Sequence, residues 1–154
     1  MAQFDDKGIL FICSSCGQKN RIPFSYLGQS GRCGACRASL PPPTHPLAID
    51  QDAHFAELIA NCPVPVLVDY WAPWCAPCRA VAPELEKVAA AEAGNLIVVK
   101  VNTEELPTLA QRFGIHSIPT MAIFSHGRET NRTAGARPAA AIQAFIRQAV
   151  SQSG

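Results

Sequence analysis

Six of the seven cysteines fall into three Cys-x-x-Cys pairs, and the spacing of these pairs constrains the fold more than any other feature. Cys13 and Cys16 form the first pair, Cys33 and Cys36 form the second, and sixteen residues separate the two pairs. Four-cysteine zinc sites typically have a separation of about 15 to 20 residues. Four thiolates complete a tetrahedral shell, so the pattern predicts one structural Zn2+ with no open position for catalysis. Two disulfides in place of the metal are the alternative.

The third pair, Cys75 and Cys78, lies between a buried apolar segment and the start of a predicted helix. The unpaired N–H groups and the dipole of a helix N-terminus stabilise a thiolate, so Cys75 is predicted to ionise readily. Cys78 follows one turn later and can displace a substrate from a mixed disulfide on Cys75. Pro77 suits this first turn because it lacks an N–H. The pattern predicts a redox-active disulfide; a structural thiol pair and half of a metal site are the alternatives.

A proline-rich segment over residues 41–46 predicts a boundary between two modules. The chain of 154 residues allows one ordinary domain plus a piece too small to bury a core of its own. The predicted division is a zinc ribbon over residues 1–40, a linker over residues 41–46 and a larger domain over residues 47–154. Proline favours extended polyproline conformation, so we expect the linker to be a semi-rigid spacer of roughly 19 Å between separate modules.

Hydrophobic periodicity in the larger module predicts alternating helices and strands. Asp52 is predicted to cap a helix that ends at Asn61, and the nearly continuous apolar run Val66–Trp71 predicts a strand covered on both faces. Further helices are predicted over residues 76–93 and 106–113 and from Pro138 onward, and further strands over residues 96–101, 120–125 and 129–133. The order of these elements predicts an α/β architecture with a parallel strand–helix–strand unit and an antiparallel hairpin.

Charge and composition narrow the possible functions. The formal net charge is +1, and no basic block of the kind found in nucleic-acid arms or membrane-surface segments is present. The apolar run over residues 9–13 is too brief for a signal peptide, and later apolar runs end well before the roughly 20 residues that span a bilayer. We therefore expect no membrane association and do not favour nucleic-acid binding. Free thiols suit a reducing compartment, so we expect a cytoplasmic protein.

A wider set of motifs surrounds the third cysteine pair. These motifs are the residues 68–75, Pro77 and Cys78, Pro83, the residues 100–102, the residues 114–120 and Gly135. Together they resemble the thioredoxin family over about residues 47–151, and with the cysteine-rich ribbon included the chain is similar to the zinc-containing thioredoxin 2 type of bacteria. The resemblance implies the thioredoxin fold, an α/β fold with a mixed central sheet flanked by helices, here preceded by a small N-terminal zinc ribbon.

The resemblance also implies a protein-disulfide reductase with Cys75 and Cys78 as its catalytic pair. In this family the aspartate at the position of Asp69 is buried behind the pair and relays a proton to or from the resolving thiol, and Lys100 matches a lysine near that aspartate. Burial is expected to raise the pKa of Asp69 toward neutrality. Without the resemblance, Asp69 is a tolerated polar residue and Lys100 extends to solvent.

Substrate-binding residues are assigned by the same resemblance. Ile118 and Pro119 match the cis-proline peptide of the family, which offers backbone groups to an extended substrate. The residues expected to form the substrate-binding rim are Trp74, Ile118, Pro119, Thr120 and Gly135. Ala76 stands where the family typically has glycine, so together with Pro77 it is expected to tune the reduction potential and the choice of partner.

The implied partners are an NADPH-dependent thioredoxin reductase and disulfide-containing substrate proteins, with the chain acting as a monomer. Two other classes stay open: a zinc-controlled binding module or chaperone whose ribbon grips partners, and an oxidase or isomerase of the same fold, which Ala76 permits. The seventh cysteine, Cys62, has no partner pair and is expected to be a small packing residue.

Overall fold

The computed structural model describes residues 2–153, with side-chain surroundings for residues 3–150. The strands are β1 (Ala2–Phe4), β2 (Gly8–Ile12), β3 (Lys19–Pro23), β4 (Gly31–Arg32), β5 (Ser39–Leu40), β6 (Leu47–Ile49), β7 (Val66–Trp71), β8 (Ile97–Asn102), β9 (Thr120–Ser125) and β10 (Arg128–Ala134). The helices are α1 (Asp52–Asn61), α2 (Ala76–Ala91), α3 (Pro107–Arg112) and α4 (Ala139–Ser153), and Phe24–Tyr26 forms one 3-10 turn. The expected outer limits of the two modules, residues 1 and 154, lie outside the described residues.

A mixed five-stranded sheet in the order β10-β9-β7-β8-β6 forms the centre of the larger part of the chain. β7 pairs in parallel with β8 and antiparallel with β9, and β6 pairs in parallel with β8. A turn at His126 and Gly127, both with positive φ, joins β9 to β10. The expected mixed sheet, including the hairpin, is therefore confirmed.

Helices cover both faces of this sheet. On one face, α2 and α4 pack against β7 in a core that contains Leu67, Leu85 and Ile146. On the opposite face, α1 and α3 pack in a second core, where Val68 of β7 meets Phe55 of α1. Five of the six residues of β7 are buried, because the strand has a core on each side. The prediction of a strand covered on both faces is confirmed.

The start of α1 differs from the prediction. The N-cap residue is Gln51, and Asp52 is the first residue of the helix instead of its cap. No side chain makes a capping hydrogen bond at this end. An acidic residue in the first turn still interacts favourably with the helix dipole, which explains why Asp52 resembles a start signal in the sequence.

The N-terminal region contains a three-stranded antiparallel sheet, β1-β2-β3, and a separate β4-β5 hairpin. Four of its buried apolar side chains belong to the same core as Phe55 of α1 and Val68 of β7. The N-terminal residues in that core are Phe4, Ile9, Phe24 and Leu27. The expectation of a spacer that keeps two modules apart is therefore wrong. The exact module limits at residues 40, 41, 46 and 47 stay a prediction.

Two further contacts fasten the N-terminal region to the rest of the molecule. A Cβ atom on Gly28 would lie 3.3 Å from the carbonyl oxygen of Gly94 and 2.9 Å from the Val64 side chain, so the chains approach closely. The buried ring of His54 in α1 lies with Nε2 3.0 Å from a carboxylate oxygen of Asp6. Residues 41–46, which contain no helix or strand, run across this joined surface instead of bridging a gap.

The shared core predicts that a defect in the ribbon destabilises the redox part of the chain. Ile9 and Ile12 both belong to β2, but Ile9 is fully buried and Ile12 is 46% exposed. We expect Ile9→Ala to lower the free energy of unfolding by about 2 to 4 kcal/mol, and Ile12→Ala to lower it by less than about 1 kcal/mol. Urea unfolding followed by tryptophan fluorescence measures this directly, since both tryptophans, Trp71 and Trp74, lie outside the ribbon. An Ile9→Ala variant with an unchanged tryptophan transition would show that the two parts unfold independently.

Candidate active site and metal site

The third cysteine pair lies where β7 leads into α2. Cys75 and Cys78 are joined by a disulfide, with their Cα atoms 5.3 Å apart. Cys75 is the N-cap residue of α2, and the backbone N–H of Cys78 donates a hydrogen bond to its Sγ atom at 3.2 Å. After reduction, the same N–H can donate to a thiolate, and the positive end of the helix dipole acts in the same direction. The geometry stabilises a charged sulfur at Cys75.

Access to the pair is restricted to one side. Cys75 is 4% exposed and Cys78 is 3% exposed. The residues that pack with the pair in one small cluster are Trp71, Ala72 and Ile118. Trp74 is 66% exposed, and Ala76 and Pro77 are exposed next to it. Trp74, Ala76 and Pro77 therefore form the exposed surface next to Cys75 in the chain.

The loop before β9 brings most of the expected substrate-binding residues together. The peptide bond between Ile118 and Pro119 is cis, as the resemblance implied. Gly135, with φ of 97°, donates its backbone N–H to the carbonyl oxygen of Pro119 at 2.9 Å. Thr120 is buried, and its hydroxyl donates to the carbonyl oxygen of Ser117 at 2.6 Å. Thr120 therefore stabilises this loop through its hydrogen bond to Ser117. Its role in substrate binding stays a prediction.

Glu104 is a residue of this site that the sequence analysis missed. The indole N–H of Trp74 donates to a carboxylate oxygen of Glu104, and the Glu104 backbone N–H donates to Oδ1 of Asn102 at 2.9 Å. A second contact holds the loop that leads into Cys75: the Arg79 guanidinium donates to the carbonyl oxygen of Pro73 at 2.8 Å. A signal was available, because Glu104 follows the carboxyl end of β8 just as the redox pair follows the carboxyl end of the adjacent parallel strand.

Asp69 lies in the middle of β7 and is fully buried. Its register partners are Lys100 on β8 and Met121 on β9. Neither carboxylate oxygen has a hydrogen-bond partner among the described residues. Burial raises the pKa of Asp69 to about 6, and the Lys100 charge limits this rise. A carboxyl group with this pKa can both accept and return a proton near neutral pH.

Lys100 does not simply extend into solvent. Its Nζ atom lies 4.7 Å from the centroid of the Trp71 ring, which is a cation–π arrangement. Trp71 itself packs in the cluster that contains the redox pair. The charged residue beside Asp69 is thus in contact with a side chain that also touches the active-site cysteines.

Four cysteines in the N-terminal region are brought together as the spacing predicted. The Sγ atoms of Cys13 and Cys36 are 3.7 Å apart, and those of Cys16 and Cys33 are 3.6 Å apart. All four Sγ atoms lie within 4.8 Å of one another. Four thiolates around Zn2+ at about 2.3 Å stand about 3.8 Å apart, so the cluster fits a tetrahedral zinc centre. When bound, the metal would cross-link the ribbon.

Each Cys-x-x-Cys turn of the ribbon is closed by a backbone hydrogen bond and a residue with positive φ. The N–H of Gly17 donates to the carbonyl oxygen of Cys13 at 2.8 Å, and the N–H of Arg37 donates to that of Cys33 at 3.0 Å. Gly17 has φ of 79° and Arg37 has φ of 67°, whereas Gly34 is not at positive φ. In the second turn an arginine therefore takes the position that glycine usually occupies.

Hydrogen bonds to sulfur stabilise the thiolate form of Cys33, which is the form that binds a cation. The backbone N–H of Cys36, the side chain of Asn20 and the backbone N–H of Ala35 lower the pKa of the Cys33 thiol to about 6. Asn20 lies 3.5 Å from Cys33 Sγ and also accepts the N–H of Gly34 at 3.0 Å. Sequence analysis missed this support, because Asn20 lies outside both Cys-x-x-Cys pairs.

Cys62 lies outside both sites. It is buried in the apolar core shared by the two parts of the chain, and burial raises the pKa of its thiol to about 11. Both observations agree with a packing residue. Within residues 2–153, no helix has the length and apolar character needed to cross a membrane.

Comparison with protein families gives two matches along the chain. Residues 46–148 match the family model described as thioredoxin, and residues 12–38 match a zinc-ribbon model described as Thioredoxin 2, N-terminal. Thioredoxin C-3 of Corynebacterium nephridii is 34% identical over 144 residues, which cover 94% of this chain and 97% of that protein. Thioredoxin 1 of a Nostoc species is 48% identical over 87 residues, which cover 56% of this chain and 81% of that protein.

Solved structures give the same result for the fold. A mutant thioredoxin from Halobacterium salinarum matches with a TM-score of 0.63 and 25% identity, covering 69% of this chain and 91% of that chain. The thioredoxin of Malassezia sympodialis matches with a TM-score of 0.62 and 30% identity, covering 70% of this chain and 92% of that chain.

The buried carboxyl group predicts a pH-dependent stability. The folded protein holds the Asp69 proton more tightly than the unfolded chain does, so stability is lost as the pH rises from 3.8 through about 6. Asp69→Asn removes the free-energy cost of keeping an ionised carboxylate buried at high pH. We expect the substitution to raise the free energy of unfolding at pH 8 by up to about 3 kcal/mol and to change it little at pH 3.5. Urea unfolding at both pH values tests this, and an equal change at both would contradict it.

The cysteine cluster predicts one zinc ion per chain. We expect protein purified under reducing conditions to contain one equivalent of zinc by atomic emission, and Cys33→Ser to lose most of it because an open tetrahedral shell binds weakly. Cys62→Ser is the matched control and should keep its zinc. Metal-free wild-type protein with disulfides among the four cysteines would favour the two-disulfide alternative instead.

Proposed function

The chain belongs to the thioredoxin family, whose members are thiol–disulfide oxidoreductases, and we propose that it works as a protein-disulfide reductase through Cys75 and Cys78. One observation carries the proposal. Cys75 is the N-cap of α2 and accepts the N–H of Cys78 on its sulfur, so the reduced form has an anion-stabilising donor at the attacking atom.

The proposed reaction has two exchange steps. The Cys75 thiolate attacks one sulfur of a substrate disulfide, forms a mixed disulfide and releases the other substrate sulfur as a thiolate. Cys78 then loses its proton, and its thiolate attacks the Sγ atom of Cys75. This second step forms the Cys75–Cys78 disulfide and releases the second substrate thiolate. The protein dithiol has then supplied two electrons, and the substrate disulfide has become two thiols.

Asp69 is the proposed acceptor of the Cys78 proton. Its carboxyl group is fully buried in β7, and burial holds its pKa at about 6. A base with this pKa is mostly ionised at neutral pH and still basic enough to take a proton from a thiol. In the reverse direction, when the disulfide is reduced, the protonated carboxyl group returns the proton to the leaving sulfur of Cys78. We propose that Lys100 modulates this group through its charge.

Substrate proteins are proposed to lie across the rim around Trp74 and the Ile118–Pro119 peptide. Trp74 is 66% exposed and is held by Glu104, and Ile118 packs against the redox pair. Main-chain pairing with an extended substrate explains how many sequences could be accepted. Ala76 is exposed between the two cysteines, so its methyl group contributes to this surface and, with Pro77, to the redox balance.

The proposed redox partner is an NADPH-dependent thioredoxin reductase, which returns two electrons to the Cys75–Cys78 disulfide after each turnover. Disulfide-containing proteins are the proposed substrates, and the chain is proposed to act as a monomer. A reducing compartment such as the cytoplasm keeps the four ribbon cysteines available as thiolates for zinc.

The ribbon is proposed to have a structural role in this activity. Its contacts at Gly28 are made with Val64 and Gly94, which precede β7 and β8. Because these strands are parallel, their amino ends meet at one edge of the sheet, and Cys75 follows the opposite edge. This part of the ribbon therefore supports the domain away from the redox pair.

Substitution of each active-site cysteine distinguishes their roles. We expect Cys75→Ser to abolish insulin-disulfide reduction because the attacking thiolate is lost, and Cys78→Ser to accumulate mixed disulfides on Cys75 that non-reducing electrophoresis detects. Cys62→Ser is the control and should keep wild-type activity. Full insulin reduction by Cys75→Ser would exclude the proposed mechanism.

A further inference from the structure

Trp71 is a residue for which the proposed reaction has no role so far. It is the last residue of β7 and lies two positions after Asp69, so both side chains point to the same face of the sheet. Its backbone carbonyl accepts hydrogen bonds from the N–H and hydroxyl of Thr103. These backbone contacts do not depend on an indole side chain. The reason for a large aromatic ring here must lie in what the ring itself touches.

The ring has two neighbours that matter for the chemistry. One is the cluster of Ala72, Cys75 and Cys78, against which it packs. The other is the ammonium group of Lys100, 4.7 Å from the ring centroid. The parallel register places Lys100 directly opposite Asp69. Trp71 therefore touches the charged residue that stands beside the buried carboxylate.

We propose that Trp71 is a positioning residue: its ring holds the Lys100 ammonium beside the buried carboxylate of Asp69. A lysine side chain has four rotatable bonds and ends in a strongly hydrated ammonium group. Without a fixed contact, this group moves into water. A cation–π contact opposes this movement. The ring thus keeps the charge close to Asp69 while the lysine stays half-exposed at the end of the strand.

Among the described residues around Asp69, Lys100 is the one charged group. On β9 the register partner is Met121, which is uncharged. The α2 residues that pack toward this face are Cys78, Val81 and Leu85, of which only the cysteine can ionise. No ion pair or hydrogen bond reaches the carboxylate from the described residues. Burial sets the main shift of the Asp69 pKa, and the position of this one ammonium group determines how far a neighbouring charge opposes that shift.

The proposal rests on the proposed role of Asp69, and the experiment separates the two. The variants are Trp71→Leu, which removes the ring, Trp71→Phe, which keeps a smaller one, Lys100→Met, and the double variant Trp71→Leu/Lys100→Met. The carboxyl pKa of Asp69 is measured by 13C NMR in the oxidised protein, where the disulfide prevents the two cysteines from titrating. Reduction of a substrate disulfide by the reduced protein is then measured in single turnovers from pH 5 to 9.

We expect Trp71→Leu to raise the pKa of Asp69 by about 0.5, because the carboxylate loses part of a neighbouring positive charge. The rate should then fall about twofold at pH 6 and stay unchanged at pH 8, where the carboxyl group is ionised in both proteins. Trp71→Phe should show a smaller shift in the same direction. In the Lys100→Met background, Trp71→Leu should cause no further shift, because there is no ammonium left to position.

Two outcomes overturn the inference: an unchanged pKa of Asp69 in Trp71→Leu, and an equal shift of that pKa in the presence and absence of Lys100. An unchanged pKa together with a rate loss that is the same at every pH would indicate a purely structural ring. If Trp71→Leu does not fold, Trp71→Phe in both backgrounds gives the same comparison. A shifted pKa with an unshifted rate profile would support the positioning role and contradict the proposed proton transfer by Asp69 instead.

Discussion

The parallel pairing of β7 with β8 is the constraint on which the active site depends. It places the carboxyl ends of both strands at one edge of the sheet, so that the redox pair after β7 and Glu104 after β8 meet there. The same pairing sets Lys100 opposite Asp69 beneath this edge. Burial of β7 on both faces then makes the carboxylate basic enough to exchange protons with a thiol. One strand pair thus sets the position of the two sulfurs and of the Asp69 carboxylate with its neighbour Lys100.

The N-terminal region acts through packing. Zinc can close the four-cysteine cluster, but the cluster itself buries few apolar residues, as expected of so small a module. The larger apolar residues of this region, among them Ile9 and Leu27, are buried against the rest of the chain. The ribbon therefore relies on its neighbour for apolar burial, and the neighbour gains a cover for α1 and the edge strand β6.

Strong local patterns made much of the fold predictable, and non-local contacts account for what was missed. The continuous apolar run of β7 correctly predicts a buried strand, and the spacing of the first two cysteine pairs correctly predicts that these four cysteines come together. β6 has only three residues, which is too short for a periodic signal. The burial of Phe4 and Ile9 and the Trp74–Glu104 contact depend on residues far apart in the chain. Arg37 at positive φ runs against residue preference, so no sequence pattern predicts it.

The apolar surface shared by the ribbon and α1 has a consequence for how such proteins can diverge. Phe24 and Leu27 on one side and Phe55 and Leu58 on the other are shaped by each other in a single close-packed core. A recombination event that joined this ribbon to another domain of the same fold would bring together two surfaces that never adapted to fit. A substitution on one side of this core therefore limits which substitutions the other side can tolerate.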